Sequence, residues 1–491
     1  MRDMFDVCVV GSGPAGAFVA NSLAKKNKKV LLLEAGNFNL SSNVNDNFDI
    51  DNSNIKGSVD FGFSQQVGGS SNLWAGGLGE MNAIDIEERI EFNFLSWPVS
   101  YDHLKDLYRR VKETIDYDYL SHMPRNVAGI ELREMMMMDK PYNTKNLIKN
   151  VKNLTLLQNH TVCKLNIKSK NSSVESITAF NTKTLEKVDL KATEFIMAAG
   201  AVNNIRVLLH SLKEFKLIDP NFYNSIGAYF STHPKGNVGK IKFNKNFNKN
   251  NPLTSIYPNN TGFTKYYFGL EMTELKNENL LNHCLRIESI YAIKMGKVLD
   301  YFKLIFSWIP FISKNPFFLN LIVKFGISLF KFAEKLSPTK SFDGKFMVRG
   351  FFDQKSKKEN RVSLSPKKSL SGLPLAKINW EFTEEDWDGV SRFMKTMQRK
   401  LKENNVGDLD YSRPKDDDFT GIHSHFIGGT RIGDSPSNSV VDKNLKVHYL
   451  DNLYLSGPSV FPSYGYANPF LSIAAMSLRL ADHIINKKSH S

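Results

Sequence analysis

The chain has 491 residues, more than one hydrophobic core normally organises, so we expect two lobes. Hydrophobic residues make up 41% of the chain and charged residues 23%, which excludes a disordered protein, a collagen-like fibre and a coiled coil. The formal net charge of +14 could serve nucleic acid, an anionic membrane or an acidic substrate, or could be a merely solvated basic surface.

The sequence contains no local signature of a nucleic-acid-binding module, a metal site or a disulfide framework. The lysines are mostly scattered, and no RRM, zinc-finger or helix-turn-helix pattern accompanies them, so we predict no nucleic-acid partner. The cysteines Cys8, Cys163 and Cys284 are far apart and form no CxxC pair. We therefore predict neither a disulfide framework nor a metal site, which suits a reducing compartment. Because Met1 to Phe5 lead directly into a strand pattern, we expect no signal peptide and a cytoplasmic protein.

A β-α-β pattern occupies residues 5–34. The runs 5–10 and 30–33 are apolar throughout, as buried parallel strands are, and residues 17–25 have the small side chains of a packed helix. Between the first strand and the helix lies a GxGxxG turn, and an acidic residue ends the second strand. In such a unit the glycines allow a tight turn around a pyrophosphate and the acid binds a ribose. We therefore predict a bound dinucleotide, held at Gly11, Gly13, Pro14, Ala15, Gly16 and Glu34.

A second glycine-rich stretch follows at residues 68–77. It is too flexible for a helix and too long for one turn, which suggests backbone pressed against a ligand. Residues 101–114 predict an amphipathic helix whose apolar face carries Leu104, Leu107, Tyr108 and Val111. The later predicted elements are a meander of strands over 154–200 that ends in a buried strand at 195–199, a helix at about 203–211, a strand at 453–456 and a final helix at 469–485.

Residues 301–336 are basic and aromatic. They contain two apolar stretches, 304–312 and 317–333, which are interrupted by Pro310 and Pro316. Neither stretch reaches the roughly 20 apolar residues that a membrane helix needs. Segments of this composition can lie on a membrane surface, so peripheral membrane contact stays open beside a pair of core-facing helices with solvated lysines.

The C-terminal region carries the most specific pattern of the chain, because several motifs occur there in one order. They are HFIGGTRIG over 425–433, VD at 441–442, DNLYLSG over 451–457 and YANP over 466–469. With GxGxxG, GGSSN at 68–72, WP at 97–98, AGA at 199–201 and HP at 233–234, these motifs resemble the glucose–methanol–choline (GMC) oxidoreductase family over essentially the whole chain. The similarity is nearest to the bacterial sugar and pyranose oxidoreductases.

The resemblance implies an α/β fold, α+β overall, with two lobes. An FAD-binding Rossmann-like lobe would comprise residues 1–95, 150–240 and 416–491. A substrate lobe with a mostly antiparallel sheet would comprise residues 96–149 and 241–415.

The resemblance also implies site residues. His425 would be the catalytic base, and Asn468, 43 residues later, its partner beside the flavin. An imidazole can take the hydroxyl proton of an alcohol while hydride passes to flavin N5, and an amide can hold the alcohol oxygen. The further cofactor positions that the resemblance implies are Gly69, Ser70, Asn72, Val162, Gly200, Gly457, Pro458, Asn468 and Pro469.

Two of these assignments have structural alternatives. His425 could be a core histidine with satisfied hydrogen bonds, and Asn468 before Pro469 could be only the N-cap of the last helix. His423 would face away from His425 in a strand, so we leave it out of the site. Some pyranose-oxidising relatives carry a flavin-linked histidine where this chain has Leu73. Leucine cannot form that bond, so we predict non-covalent FAD.

The resulting prediction is an FAD-dependent oxidoreductase that oxidises a CH–OH group of a sugar or glycoside. Its partners would be a small-molecule alcohol and an electron acceptor. Two alternatives stay open: an oxidoreductase of a lipid-linked sugar, sterol or fatty alcohol at a membrane surface, and a flavin-dependent lyase without redox chemistry.

Overall fold

The structure is a computed structural model, and it describes residues 4–38, 50–51, 64–117, 123, 125–168, 172–213, 215, 218–248, 251–288, 325, 328, 344–415, 418–421 and 425–487. The basic segment 301–336 lies outside the described residues apart from Phe325 and Ser328, and so does His423.

The strands, in chain order, are β1 (Phe5–Val10), β2 (Val30–Leu33), β3 (Ile50–Asp51), β4 (Gly77–Gly79), β5 (Asn126–Val127), β6 (Ile130–Met138), β7 (Leu154–Leu157), β8 (His160–Lys168), β9 (Ser173–Asn181), β10 (Lys187–Leu190), β11 (Ala192–Met197), β12 (Lys235–Phe243), β13 (Tyr257–Asn259), β14 (Gly262–Gly269), β15 (Cys284–Glu288), β16 (Phe346–Phe351), β17 (Arg361–Lys368), β18 (Pro374–Asn379), β19 (Gly407–Tyr411) and β20 (Leu453–Leu455).

The α-helices are α1 (Pro14–Lys25), α2 (Tyr101–Thr114), α3 (Lys145–Ile148), α4 (Ala201–Leu212), α5 (Pro220–Ser225), α6 (Lys245–Asn248), α7 (Met272–Asn277), α8 (Glu384–Glu403) and α9 (Phe470–Asn486). The predicted helix at about 203–211 is therefore α4, which begins two residues earlier, and the predicted final helix is α9, which begins at Phe470. Along the described ranges, no helix has the length and apolar character that crossing a membrane requires.

A five-stranded sheet in the order β20-β11-β1-β2-β7 joins the two ends of the chain. Every pairing in it is parallel, and the central strands are buried and apolar, as the sequence predicts. Only β11 separates the N-terminal strand β1 from the C-terminal strand β20. Because all five strands run the same way, the motifs that follow them meet at one edge of the sheet.

A second sheet is antiparallel and larger. Its strands follow the order β19-β12-β16-β15-β14-β6-β4, and β13 and β5 pair with β14 and β6. Side chains alternate between the two faces of each strand, and the apolar set, which includes Val238, Phe268 and Val348, forms one core with Phe393 and other residues of α8. The predicted α/β fold, with a Rossmann-like lobe and a mostly antiparallel second sheet, is confirmed.

Two shorter antiparallel groupings complete the described strands. One has the order β10-β9-β8, and in the other β17 pairs with β18, which also takes β3 as a parallel partner. The predicted apolar face of α2 is buried, but it packs into the larger core around the parallel sheet, and so does β18. Both elements fall within the residue ranges predicted for the substrate lobe, so the lobe limits stay a prediction.

Candidate active site

The turn between β1 and α1 leaves no room for a side chain at Gly11 or at Gly16. Gly11 has a φ of +96°, and a Cβ there would lie 2.6 Å from the carbonyl oxygen of Ala198. A Cβ on Gly16 would lie 1.8 Å from the carbonyl oxygen of Gly11, so the helix packs directly on the turn. No side chain caps the N-terminus of α1, which begins at Pro14. Its first amide groups, including that of Ala15, therefore form a fitting site for a phosphate.

Two further glycine loops close on this turn. Gly69 has a φ of +53°, and a Cβ on it would lie 2.7 Å from the Cα of Gly13. Gly457, which follows β20, has a φ of +108°, and a Cβ there would lie 3.5 Å from that of Ala15. The adjoining Pro458 accepts a backbone hydrogen bond at 3.0 Å from Gly428 of the C-terminal motif. Three segments predicted to hold the cofactor are thus brought together.

The acidic residue at the end of β2 is buried and held by the first turn. Glu34 Oε2 accepts hydrogen bonds from the amide and hydroxyl of Ser12, at 3.0 and 2.5 Å, and Oε1 accepts one from the amide of Gly36 at 3.0 Å. Burial raises the pKa of the Glu34 carboxyl, and these hydrogen bonds oppose that rise. Gly68 N donates to Ser12 Oγ at 3.2 Å, so Ser12 ties both turns to Glu34.

Asn72 holds the shape of the second glycine loop. Its Nδ2 donates to the carbonyl oxygens of Val67 at 3.1 Å and Gly69 at 2.8 Å, and its Oδ1 accepts from Asn143 Nδ2 at 2.6 Å. Ser70 lies on the exposed side of the same short turn. The side chain of Asn72 therefore shapes the loop, and the backbone of the loop faces the first turn.

The two remaining predicted cofactor positions lie along the same region. Gly200 precedes α4 with a φ of +82°, and a Cβ on it would have no atom of the described residues within 4 Å. Val162 lies on β8, whose first residue His160 donates a backbone hydrogen bond to the carbonyl oxygen of Glu34 at 2.9 Å. Val162 therefore lies near the end of β2 where the ribose is predicted.

His425 is partly buried and contacts a second histidine. Its Nδ1 lies 3.4 Å from Nδ1 of His233, and the two rings meet edge to face. Burial and, less strongly, the Lys235 ammonium lower the pKa of His425, while burial and then His425 lower the pKa of His233. Both imidazoles are therefore neutral near pH 7, and His425 can accept a proton.

Sequence reasoning left His233 without a role, although the HP motif at 233–234 marked its position. The ring of His233 lies 4.9 Å from that of Tyr464, whose hydroxyl is hydrogen-bonded to Ser231 Oγ. Tyr464 is four residues before Asn468. The loop that carries Asn468 is thus in contact with the partner of His425.

Asn468 does not act as a helix cap. Its Nδ2 donates to the carbonyl oxygen of Gly77 at 3.2 Å and lies 3.6 Å from Met135 Sδ. Helix α9 begins at Phe470, with Pro469 at the N-cap position and no side-chain cap. The alternative in which Asn468 serves only as the N-cap is therefore wrong, because its side chain points to the antiparallel sheet.

One face of the antiparallel sheet lies beside both residues, and we call it the site face. Residues directly opposite each other on neighbouring strands point to the same side of a sheet. The register therefore places the following side chains on this face: Lys235 and Asn237 of β12, Arg349 and Phe351 of β16, Cys284, Arg286 and Glu288 of β15, Lys265 and Tyr267 of β14, and Arg133 and Met135 of β6. Lys235 acts on His425 and Met135 contacts Asn468, so the site face forms one wall of the candidate site.

Two family models match parts of the chain. Residues 356–477 match a model described as GMC oxidoreductase, and residues 9–72 match one described as an NAD(P)-binding Rossmann-like domain.

Three similar proteins match over short stretches. The large subunit of fructose dehydrogenase from Gluconobacter japonicus is 44% identical over 64 residues, which are 13% of this chain and 12% of that protein. The 6'''-hydroxyparomomycin C oxidase of Streptomyces lividus is 32% identical over 130 residues, 26% of this chain and 23% of that protein. The pyranose 2-oxidase of Tricholoma matsutake is 30% identical over 142 residues, 26% and 24% of the two chains. The chain thus spans a quarter or less of the length of these relatives.

Solved structures match along nearly the whole chain. Pyridoxine 4-oxidase from Mesorbium loti aligns with a TM-score of 0.55 at 16% identity, covering 98% of this chain and 99% of that one. A fungal aryl-alcohol oxidase aligns with a TM-score of 0.56 at 15% identity, covering 99% of both chains. At these identities the likeness concerns the fold.

Proposed function

We propose that this chain, which carries a GMC oxidoreductase C-terminal domain behind an N-terminal Rossmann-like segment, is an FAD-dependent oxidoreductase that acts on the CH–OH group of a sugar or related alcohol. The observation that carries the proposal is the meeting of Gly13, Gly69 and Gly457 at the N-terminus of α1, on the lobe that joins both chain ends. The names of two similar proteins, a fructose dehydrogenase and a pyranose 2-oxidase, support a sugar substrate.

The residues present fit FAD. The amide groups at the uncapped start of α1 would bind the diphosphate, and because Gly69 has no side chain, the second glycine loop can lie against Gly13 at this place. Glu34, already oriented by Ser12, would accept hydrogen bonds from the ribose. Bound FAD would supply the hydride acceptor that an alcohol oxidation needs.

The chain's own residues supply proton transfer and orientation. His425, kept neutral by its lowered pKa, takes the hydroxyl proton of the alcohol at an imidazole nitrogen. His233 contacts the ring of His425 and limits its rotation. Asn468, whose Nδ2 is directed to Gly77, holds the alcohol oxygen with its amide.

We further propose that FAD is bound without a covalent link. Leu73 stands next to Trp74, whose ring stacks on Phe470 at 4.2 Å and whose Nε1 donates to the carbonyl oxygen of Tyr142. A leucine side chain has no nucleophile. Acid precipitation of the purified protein should leave the yellow flavin in the supernatant, and colour in the pellet would contradict this part of the proposal.

The function is tested by mixing the purified holoenzyme with sugars and simple alcohols without oxygen. At least one sugar is expected to bleach the absorbance band of oxidised flavin, which lies at about 450 nm. The carbonyl product should appear in an amount equal to that of the flavin reduced. A flavin that stays oxidised while a substrate is cleaved would favour the lyase alternative instead.

A further inference from the structure

The site face carries two arginines that share one carboxylate. Arg286 and Arg349 lie directly opposite each other on β15 and β16. Arg286 Nη2 pairs closely with Glu288 Oε1, and Arg349 Nη1 lies 4.0 Å from the same oxygen. The side chain of Glu288 is 2% exposed, whereas those of Arg286 and Arg349 are 13% and 23% exposed. The guanidinium groups therefore reach the accessible side of the site, and the carboxylate lies beneath them.

The surroundings of this pair add positive charge. Lys235 and Lys265 project from the same face on neighbouring strands. Burial, followed by the charge of Arg286, lowers the pKa of Arg349, and Glu288 and, less strongly, Asp418 offset this only in part. Half-buried cations in this arrangement attract an anion, because a low-dielectric wall strengthens the interaction.

At this place Arg349 Nε, a donor, and Asn237 Oδ1, an acceptor, are buried polar atoms without a hydrogen-bond partner among the residues that the structure describes. Asn237 lies directly opposite Arg349 in the register of β12 and β16. A ligand that carries both an anionic oxygen and a hydroxyl group would satisfy both atoms.

We propose that the alcohol oxidised at this site carries an anionic group, a carboxylate or a phosphate, and that Arg349 and Arg286 bind it. The inference rests on the proposed function, because the reacting carbon must lie beside His425. Arginine suits the task, since its planar fork pairs with two oxygens of either anion. Asn237 accepts a hydrogen bond from a neighbouring hydroxyl of the same substrate.

The test compares substrates that differ only in charge. The holoenzyme is reduced without oxygen by a neutral hexose, the corresponding hexuronate and the corresponding hexose phosphate. The rate of flavin reduction divided by the dissociation constant should be at least about tenfold higher for one of the anionic substrates, and the preferred one identifies the anion. If the neutral hexose reduces the flavin equally well, the inference is overturned while the proposed function stands.

A binding measurement tests the anion site without requiring turnover. Calorimetric titration of the holoenzyme with the hexuronate and with inorganic phosphate should show saturable binding of at least one of them. Arg349→Gln should weaken it about tenfold or more, and Arg349→Lys should fall between, because lysine keeps the charge without the fork. Arg109→Gln, on the exposed side of α2, is the matched control and should bind like the parent.

The result for the neutral hexose completes the test. Arg349→Gln should lose much more of its rate of flavin reduction with the preferred anionic substrate than with the neutral hexose, and its flavin spectrum should be unchanged. Equal losses for neutral and anionic ligands, or anion binding that Arg349→Gln leaves intact, would overturn the assignment.

Discussion

The edge of the parallel sheet and the site face of the antiparallel sheet are built in different ways. At the parallel edge, glycines bring backbone to within contact distance of backbone, as Gly69 does beside Gly13. On the site face, side chains from strands far apart in the chain stand opposite each other, as Arg286 and Arg349 do. The first region depends on main-chain shape and the second on side-chain identity. Substitutions at the edge of the parallel sheet should therefore impair cofactor binding, and substitutions on the site face should impair turnover.

The largest effect is expected when the proposed base, His425, is replaced. Replacing His425 by alanine removes the group that we propose takes the hydroxyl proton, so flavin reduction by substrate should slow by about 100- to 10,000-fold. FAD content should not change, because the glycine turns proposed to hold the diphosphate, around Gly13, Gly69 and Gly457, are left intact. Stopped-flow spectroscopy measures the rate of flavin reduction, and the absorbance ratio of flavin to protein measures the FAD content. His103→Ala, exposed on α2, should behave as the parent, and an undiminished rate in His425→Ala would exclude the role.

A substitution in the glycine turns should weaken FAD binding and leave the turnover rate per bound flavin unchanged. Gly69→Ala places a side chain at a φ of +53°, 2.7 Å from the Cα of Gly13. The left-handed conformation alone costs about 1–2 kcal/mol, so FAD affinity should fall about tenfold or more. Gly389→Ala in α8, where a Cβ meets nothing within 4 Å among the described atoms, should keep full affinity. Equal FAD affinities in the two variants would contradict the close approach of these turns.

Asn468→Asp tests in solution whether the amide of Asn468 acts in the site, since its side chain does not cap α9 in the structure. Aspartate caps a helix N-terminus as well as asparagine does, so a capping role would leave the reduction rate unchanged. Loss of the donor that reaches Gly77 should instead slow flavin reduction by up to about tenfold. Ser100→Ala is the control for a true cap, since Ser100 Oγ accepts from the amide of His103, and it should lower the free energy of unfolding by about 1 kcal/mol.

The smallest effect concerns pH. Because burial and then Lys235 lower the pKa of His425 to about 3, the imidazole stays unprotonated and able to act as a base well below the ordinary value. Flavin reduction should therefore stay level from about pH 8 to about pH 5 and fall only at lower pH, whereas an ordinary histidine would lose activity near about pH 6.5. Lys235→Gln removes the weaker cause and should move the acid limb slightly upward. A limb near pH 6.5 in the parent would contradict the burial of His425.

Local patterns predicted much of the fold. The β-α-β unit, the buried face of α2 and the strands around residue 195 follow from the spacing of apolar residues, which responds to neighbours a few positions away. The glycines of the first turn were predictable for the same reason, because GxGxxG between a strand and a helix describes one local conformation. Ser12 was missed, since it occupies a variable position of that pattern, and its bond to Glu34 joins the ends of two strands.

The amino-acid order by itself determined the β-α-β unit, the helices α2, α4 and α9, the glycine turns and the positions of His425 and Asn468 within their motifs. Only the tertiary structure decided that His233 lies against His425, that Asn468 turns to the sheet and away from its helix, and that Arg286 and Arg349 meet over Glu288. The reason is physical: these contacts join residues far apart along the chain, and their geometry depends on strand order and register, which the packing of the whole molecule sets.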